Sequence, residues 1–307
     1  MLRQILLYLS RAGWARNVAV NWRLAQRVAR RFVAGETLED AVRVVRELNG
    51  RGILATLDCL GESVKNVEDT QVVVNAYQTT LNRIHTEKLQ SSVSLKLTHL
   101  GLDISEDLCI ANLRHILGTA KQNGIQLTID MEDSSYTDTT LRIYRTLRDE
   151  YEFDNVGTVI QAYLRRSEAD MQQLAAEGAH VRLCKGAYLE PPEVAFAHKS
   201  EVDANFIKLT RQFLSANGTS YLAIATHDEK MISAAEEFIE QNQVPADRYE
   251  FQMLYGIRAE RQADLAAKGF KMRVYVPFGE AWYPYFMRRL AERPANVWFF
   301  IRSIFQR

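Results

Sequence analysis

Cysteine and histidine are both scarce in this chain. Only Cys59, Cys109 and Cys184 occur among 307 residues, an odd number with none of the spacings of a metal site. They cannot all pair, which excludes a complete disulfide framework and favours a reducing compartment. The six histidines form no ligand pattern beyond the segment HDE at 227–229. We therefore expect neither structural disulfides nor a metal centre.

Net charge and long apolar runs are also absent. Lysine plus arginine and aspartate plus glutamate number 38 each, so no global field draws the chain to nucleic acid. No run of about 18 uninterrupted apolar residues predicts a membrane-spanning helix. Hydrophobic residues make up 47% of the sequence, as in an ordinary globular protein with a sizeable core. A chain of 307 residues can hold two average domains or one large α/β barrel.

The first 35 residues contain no acidic side chain, since the first one is Glu36. Seven arginines are interspersed there with apolar residues. This amphipathic pattern predicts an N-terminal helical arm, residues 1–48, ahead of a main domain at 49–307. The arm could lie on an anionic bilayer surface. Helices packed against the main domain with their arginines facing water, and a transit peptide, are two alternatives that the pattern leaves open.

After the arm, short apolar runs alternate with amphipathic helical stretches. The clearest helix has one apolar stripe, formed by Val67, Val74, Tyr77, Leu81 and Ile84. Further helices are predicted at 106–122, 138–150, 167–178, 198–216, 229–242 and 258–268. Strands are predicted at 52–58, 93–97, 125–130, 157–163, 181–185, 222–226, 250–254 and 271–277. A series of eight strands, each followed by a helix, predicts an α/β fold of the (βα)8 or TIM-barrel class.

Polar residues occur where these strands end. They are Lys96, Asp130, Gln161, Arg182, Lys185, Thr226, His227 and Tyr275. Because active sites of this fold gather at the carboxyl ends of the strands, we expect these side chains to converge on one mouth. Burying that much charge without a ligand would be costly, and a carboxylate ligand would pair with the cations. A strand lysine, Lys96 or Lys185, could instead serve a Schiff-base aldolase or lyase.

An arginine pair follows the eighth strand, in the segment AWYPYFMRRLAERP at 281–294. If the segment is helical, one face carries Tyr285, Arg288, Arg289 and Glu292, and Pro284 lies in the first turn. One aromatic ring and two guanidinium groups on a single face suit a small carboxylate. The alternative is a solvated surface with an ion pair between Arg288 and Glu292.

Nine segments of the chain together resemble the proline dehydrogenase family. In order, they are CLGES, SLKL, TIDMED, VIQAY, VRLCKGAY, ATHD, EFQMLYG, RVYVPFG and YFMRRLAE. The resemblance spans about residues 50–295 and extends to the bacterial single-function enzyme and to the matching domain of bifunctional proline utilization A. It implies a distorted (βα)8 barrel that carries FAD, with the final helix above the barrel mouth.

The resemblance also implies roles for the matching positions. Residues implied to bind the proline carboxylate, or to shape the wall around its ring, are Lys96, Arg288, Arg289, Tyr275, Tyr285, Tyr188 and Leu254. The implied catalytic residues are Asp130 and Arg182, with Arg182 beside the reactive edge of the flavin. Residues implied to contact the cofactor are Met131, Gln161, Arg182, Lys185, Gly186, Ala187, Thr226, His227 and Glu292. Glu62 is implied to close the site as a gate by pairing with the second arginine.

The implied activity is oxidation of L-proline to Δ1-pyrroline-5-carboxylate by hydride transfer to FAD, the first step of proline catabolism to glutamate. Since 307 residues leave no room for a fused NAD-dependent domain, we expect the electrons to pass to a membrane quinone. We expect a separate pyrroline-5-carboxylate dehydrogenase to receive the product. The protein would be cytoplasmic, and peripheral on the inner face of the cell membrane if the arm binds lipid. A Schiff-base lyase and a non-catalytic metabolite-binding barrel are the competing hypotheses.

Overall fold

The computed structural model describes residues 29–61, 63–216 and 218–292, the last three of these by their backbone alone. Within these ranges, eight parallel strands close into a barrel in chain order. The strands are β1 (Leu54–Cys59), β2 (Ser91–Leu95), β3 (Leu127–Ile129), β4 (Val156–Gln161), β5 (His180–Cys184), β6 (Tyr221–Ala225), β7 (Tyr249–Leu254) and β8 (Met272–Phe278). The predicted (βα)8 barrel is confirmed, and every predicted strand overlaps an observed one.

Helices alternate with these strands along the described chain. They are α1 (Leu38–Asn49), α2 (Val67–Thr86), α3 (Glu106–Gln122), α4 (Thr137–Arg145), α5 (Ser167–Ala176), α6 (Lys199–Ser215), α7 (Glu229–Asn242), α8 (Ala259–Ala267) and α9 (Trp282–Glu292). The Asn66 side chain caps α2 by accepting from the N–H of Asp69, which fixes where that helix begins. The helix predicted at 138–150 is not uniform, because α4 ends at Arg145 and a π-helical turn continues over Thr146–Glu150.

One position of the predicted α2 stripe is wrong. Val74, Tyr77, Leu81 and Ile84 are buried as expected, but Val67 is 45% exposed. Val67 is the first residue of α2, and the buried face of the helix begins one turn later at Thr70. A periodic pattern indicates which face of a helix is apolar, but the position of the sheet decides where that face becomes covered.

The barrel has a polar interior and an apolar outer face. On β5, Val181 and Leu183 belong to the apolar core, whereas Arg182 between them reaches Ser94 of β2 and Gln252 of β7. Neither β2 nor β7 is a neighbour of β5 in the sheet, so these contacts cross the interior. Because strand side chains alternate with a period of two, polar residues two positions apart share the interior. The apolar core therefore lies between the strands and the surrounding helices.

A short segment ahead of α1, the strap (residues 29–36), packs at the end of β8. The N–H of Ala34 donates to the Pro277 carbonyl at 2.9 Å. The indole N–H of Trp282, the first residue of α9, donates to Oε1 of Glu36 at 3.0 Å. Helix α1 then packs against β1 and β8. The described portion of the predicted arm is thus packed on the barrel, whereas residues 1–28 lie outside the described residues.

Candidate active site

Arg182 occupies the centre of the barrel interior. Its guanidinium donates from Nη1 to Oδ1 of Asp130 at 2.5 Å, from Nη2 to Oγ of Ser94 at 2.8 Å, and from Nε to Oε1 of Gln252 at 2.6 Å. Only 6% of Arg182 is exposed. A buried cation is tolerated where its donors are paired with acceptors. The three acceptors belong to three different strand units, so the barrel itself fixes the plane of this guanidinium.

Asp130, directly after β3, connects Arg182 with Tyr275 of β8. Its Oδ2 accepts from the Tyr275 hydroxyl at 2.7 Å, and the Arg182 guanidinium lies 5.4 Å from the centre of the same ring. Burial, and next the Asp130 charge, raise the pKa of Tyr275 well above its usual range. Tyr275 therefore stays a neutral phenol that donates to the carboxylate. These contacts place both predicted catalytic residues in one network.

Lys96 follows β2 and forms a buried ion pair that sequence reasoning missed. Its Nζ lies 3.5 Å from Oδ2 of Asp58, a residue of β1 that is 1% exposed. Neither oxygen of Asp58 accepts a hydrogen bond from the residues that the structure describes. Burial lowers the pKa of Lys96, but the Asp58 and Asp130 carboxylates outweigh burial and leave that pKa above its usual value. Lys96 is therefore a cation at neutral pH.

Residues from two further loops or helices lie within electrostatic range of Lys96. Two more residues affect the pKa of Lys96. Tyr188, in the loop after β5, raises this pKa, and the cation of Arg288 on α9 lowers it. Two cations in a partly buried space repel each other unless an anion lies between them. The structure therefore brings these three predicted substrate-binding residues to one place, where an anion would relieve the repulsion.

Helix α9 carries the arginine pair as predicted, with Pro284 in its first turn. The Arg289 guanidinium lies over the ring of Tyr285, 5.1 Å from the ring centre. Tyr285 is buried, and Arg288 and Arg289 are both half-buried. Because neither arginine is exposed, the alternative of a fully solvated surface loses support. Leu254, another predicted wall residue, is half-buried at the end of β7.

Gln161 ends β4 with its amide held in one orientation. Its Nε2 donates to the backbone carbonyls of Met131 at 3.4 Å and Glu132 at 3.2 Å. Its Oε1 is buried and accepts no hydrogen bond within the described part of the chain. A buried acceptor of this kind calls for a donor. The N–H at the pyrimidine edge of a flavin is such a donor, so Gln161 fits the predicted cofactor contact.

The segment Lys185–Gly186–Ala187 leaves β5 with a backbone that requires glycine. Gly186 has a φ of +100°, and a Cβ at this position would lie 2.2 Å from the ring of Tyr163. The N–H of Tyr163 donates to the Lys185 carbonyl at 2.9 Å, which holds the loop against that ring. Because Gly186 has no side chain and its backbone packs against the Tyr163 ring, this backbone can lie close to a flat ligand.

Three other predicted cofactor-binding side chains are held by contacts within the protein. The Lys185 ammonium lies 2.6 Å from Asp203 and 2.9 Å from Asp228. Nε2 of His227 accepts from the N–H of Leu254 at 2.8 Å, which places the imidazole proton on Nδ1. The Thr226 hydroxyl accepts from the N–H of Asp228 at 3.1 Å. These contacts fix the end of β6 and the loop after β5 relative to each other.

Two predicted site residues cannot be placed. Glu62, the predicted gate, lies outside the described residues, and so does the side chain of Glu292. Among the residues that are described, no group of three or more His, Cys, Asp or Glu residues could hold a metal ion. The three cysteines, all of which are described, form no disulfide.

The fold and these contacts define a class of protein: a parallel-barrel enzyme whose mouth holds buried cations suited to a small carboxylate. The model of the proline dehydrogenase family matches residues 41–302. Proline dehydrogenase 1 of Bacillus subtilis is 45% identical over the whole of both chains. Proline dehydrogenase of Deinococcus radiodurans is 40% identical, with 92% of this chain and 90% of the relative covered. The chain belongs to the proline dehydrogenase family.

A solved structure agrees with this assignment. Proline utilization A from Bdellovibrio bacteriovorus, inactivated by N-propargylglycine, has a TM-score of 0.82 and 27% identity to this chain. The match covers 91% of this chain and 34% of that one, so the present chain spans about a third of that protein. The predicted family and barrel are confirmed, and membership makes the chain an oxidoreductase of a flavoenzyme family.

Proposed function

We propose that this chain is an FAD-dependent enzyme that oxidises L-proline to Δ1-pyrroline-5-carboxylate. The observation that carries the proposal is the approach of Lys96 and Arg288 to each other beside the Asp130–Arg182–Tyr275 network. A proline carboxylate between the two cations would replace their repulsion with two attractive pairs. This would make the carboxylate the group that brings the two cations together.

The wall of the site would orient the rest of the substrate. Lys96, Arg288 and Arg289 would fix the carboxylate, while the side chains of Tyr275, Tyr285, Tyr188 and Leu254 would surround the ring. Holding substrate in one reactive orientation can supply several kcal/mol of the barrier reduction. The proline amine must lose its proton before oxidation, so the rate should rise with pH until the amine or a protein group titrates.

The residues that would hold FAD are those predicted from the family motifs. Gln161 would accept a hydrogen bond through its buried Oε1, and the backbone of Lys185–Gly186–Ala187, which packs against Tyr163, would lie against the cofactor. Met131, Thr226, His227 and Glu292 complete the predicted set. When bound, the flavin supplies the acceptor for the hydride that leaves the proline carbon next to nitrogen. Arg182 would place a fixed positive charge beside it, and Asp130 would hold both Arg182 and Tyr275 in position.

The proposal extends to electron transfer and location. Electrons would pass from the flavin to a membrane quinone, and a separate pyrroline-5-carboxylate dehydrogenase would take the product. Among the helices described by the structure, none combines the length and apolar character needed to cross a bilayer. Contact with a membrane would instead be peripheral, through the arginine-rich residues 1–28.

A Schiff-base lyase is poorly supported by the two candidate lysines. A nucleophilic lysine must be neutral, and a depressed pKa is the usual means. Burial alone would lower the pKa of Lys96, but Asp58 and Asp130 raise it overall. The Lys185 ammonium is held by ion pairs with Asp203 and Asp228.

Absorption spectroscopy of the purified protein tests the proposed function. We expect a yellow protein that loses its colour when L-proline is added without oxygen, with Δ1-pyrroline-5-carboxylate recovered by mass spectrometry. Borohydride should not attach substrate to Lys96 or Lys185. A colourless preparation that gains no chromophore from added FAD, or a borohydride-trapped lysine adduct, would contradict the proposal.

A further inference from the structure

A second polar cluster lies below the proposed site, towards the amino ends of the strands. Glu250 of β7 is 3% exposed and accepts from Nε of Arg273 at 2.7 Å and from the Tyr221 hydroxyl at 3.1 Å. Burial raises the pKa of Glu250, but Arg273 and the hydrogen bonds outweigh burial and hold that pKa below its usual value. Glu250 is therefore a fixed, buried anion in a cavity of about 170 Å³ at the floor of the barrel.

Gln252 joins this floor cluster to Arg182. Its Nε2 donates to Oε1 of Glu250 at 2.6 Å, and its Oε1 accepts from Nε of Arg182 at 2.6 Å. Only the amide oxygen can accept from a guanidinium, and only the amide nitrogen can donate to a carboxylate. Glu250 thereby determines which way the Gln252 amide points. The amide oxygen in turn accepts from Nε of Arg182, whose Nη1 and Nη2 donate to Asp130 and Ser94.

The uncharged side chain at position 252 also limits the number of carboxylates that lie against Arg182. The ion pair that the structure gives Arg182 is with Asp130, whose other oxygen is already shared with Tyr275. A glutamate at position 252 would add a second carboxylate against Arg182 and would face Glu250 at hydrogen-bond distance. Two carboxylates that close cannot both ionise without a large rise in one pKa. A glutamine avoids both effects.

We propose that Gln252 is the positioning residue for Arg182, that Glu250 orients its amide, and that the neutral amide keeps a second carboxylate away from the Arg182 cation. This inference rests on the proposed function, because it is the flavin site that would use the charge. Once its second carboxylate is ionised, Gln252→Glu should therefore make reduction of the bound flavin less favourable, since it partly offsets a cation beside the flavin. Gln252→Met, which has similar volume and no amide, should misplace Arg182 without adding charge.

The test uses the full-length holoenzyme. For Gln252→Glu we expect a flavin midpoint potential that becomes more negative than that of the wild type as the pH rises and the second carboxylate ionises, and a kcat lower by about ten- to a hundredfold. The KM for proline should change much less, because Lys96 and the arginine pair are untouched. Gln252→Met should lower kcat with a smaller change in potential. Glu250→Gln keeps an oxygen that can accept from the Gln252 amide, so it should lower kcat less than Gln252→Met does.

Gln173→Glu is the matched control, since it adds the same charge at an exposed position on α5. It should leave the potential and kcat at their wild-type values. The inference is overturned if Gln252→Glu and Gln252→Met both retain wild-type potential and kcat. Should Gln252→Glu fail to fold with flavin, an unchanged kcat and potential in Gln252→Met would be sufficient to overturn it. Failure of the wild type itself to oxidise proline would instead contradict the proposed function.

Discussion

At the scale of single residues, the site is a set of buried charges whose partners come from distant parts of the chain. Arg182 is paired with Asp130, and Lys96 with Asp58, while the cation of Arg288 lies within electrostatic range of Lys96. Electrostatic interactions are strong in such a place because little water screens them. Substitutions that alter charge at these positions should therefore act on substrate affinity more than on the fold.

Replacing either arginine of α9 should weaken proline binding. In Arg288→Ala or Arg289→Ala, a desolvated carboxylate would lose one of its partners, which costs roughly 2–5 kcal/mol. Steady-state kinetics should show this cost as a raised KM for proline. Arg→Lys at the same positions retains the charge and should recover part of the affinity. A wild-type KM in both alanine variants would contradict the assigned roles.

Asp58→Asn should change how proline binding depends on pH. Asp58 helps to raise the pKa of Lys96 against burial, so its removal lowers that pKa. A group with a raised pKa retains its proton up to high pH, and the variant should lose the Lys96 charge at a lower pH than the wild type. KM for proline should therefore begin to rise earlier on the alkaline side.

A matched control for this experiment is Asp154→Asn, which removes an exposed carboxylate paired with Lys121. Its pH profile of KM should coincide with that of the wild type. If the Asp58→Asn profile coincided with the wild type as well, Asp58 would have no part in charging Lys96.

The sequence allowed prediction of residues that end strands, because the barrel brings those ends together. Asp130 follows β3 directly, whereas Arg182 and Tyr275 lie inside β5 and β8 and reach Asp130 through the barrel interior. Asp58 was not predicted although it ends the predicted strand 52–58, because only its alternation with Thr56 on the same face indicates an interior position. Gln252 lies inside β7 and was not predicted either. The partners of Lys185 could not be predicted, since Asp203 and Asp228 come from two different helical units.

At the scale of elements, the alternation of polar and apolar residues determines both the barrel and its site. Short apolar runs were sufficient to predict the eight strands, since outward residues such as Leu57, Val93 and Leu183 are completely buried. The strap was not predicted as part of the barrel, because residues 29–36 have no strong periodicity. Its contacts with β8 and α9 join residues far apart in the sequence, so no local pattern indicates them.

The strap should help to hold the helix that carries the arginine pair. Trp282→Phe removes the N–H that donates to Glu36, and the loss of this one hydrogen bond costs about 0.5–1.5 kcal/mol because water can reach the exposed carboxylate. Thermal unfolding should show a lower Tm, and KM for proline should rise because α9 is less well fixed. Glu36→Gln keeps an oxygen acceptor and should have a smaller effect on both. An unchanged KM in Trp282→Phe would show that the strap does not position α9.

At the scale of the whole molecule, the barrel and the arginine-rich N-terminal residues would have separate tasks. Deleting residues 1–28 leaves the strap in place, whereas a longer deletion would remove buried Phe32 and Val33. We expect the shortened protein to lose binding to vesicles that contain anionic phosphatidylglycerol, as measured by co-sedimentation. It should still oxidise proline with a soluble quinone analogue. Equal vesicle binding by both proteins would exclude the arm as the membrane contact.

The central claim is that the cations at the barrel mouth hold the carboxylate of proline against the flavin. Bleaching of the flavin without oxygen, with L-proline and with pyrrolidine at equal concentration, tests it most directly, because pyrrolidine has the same ring without the carboxylate. We predict rapid bleaching with L-proline and little or none with pyrrolidine. Equal bleaching rates with the two compounds would contradict the claim.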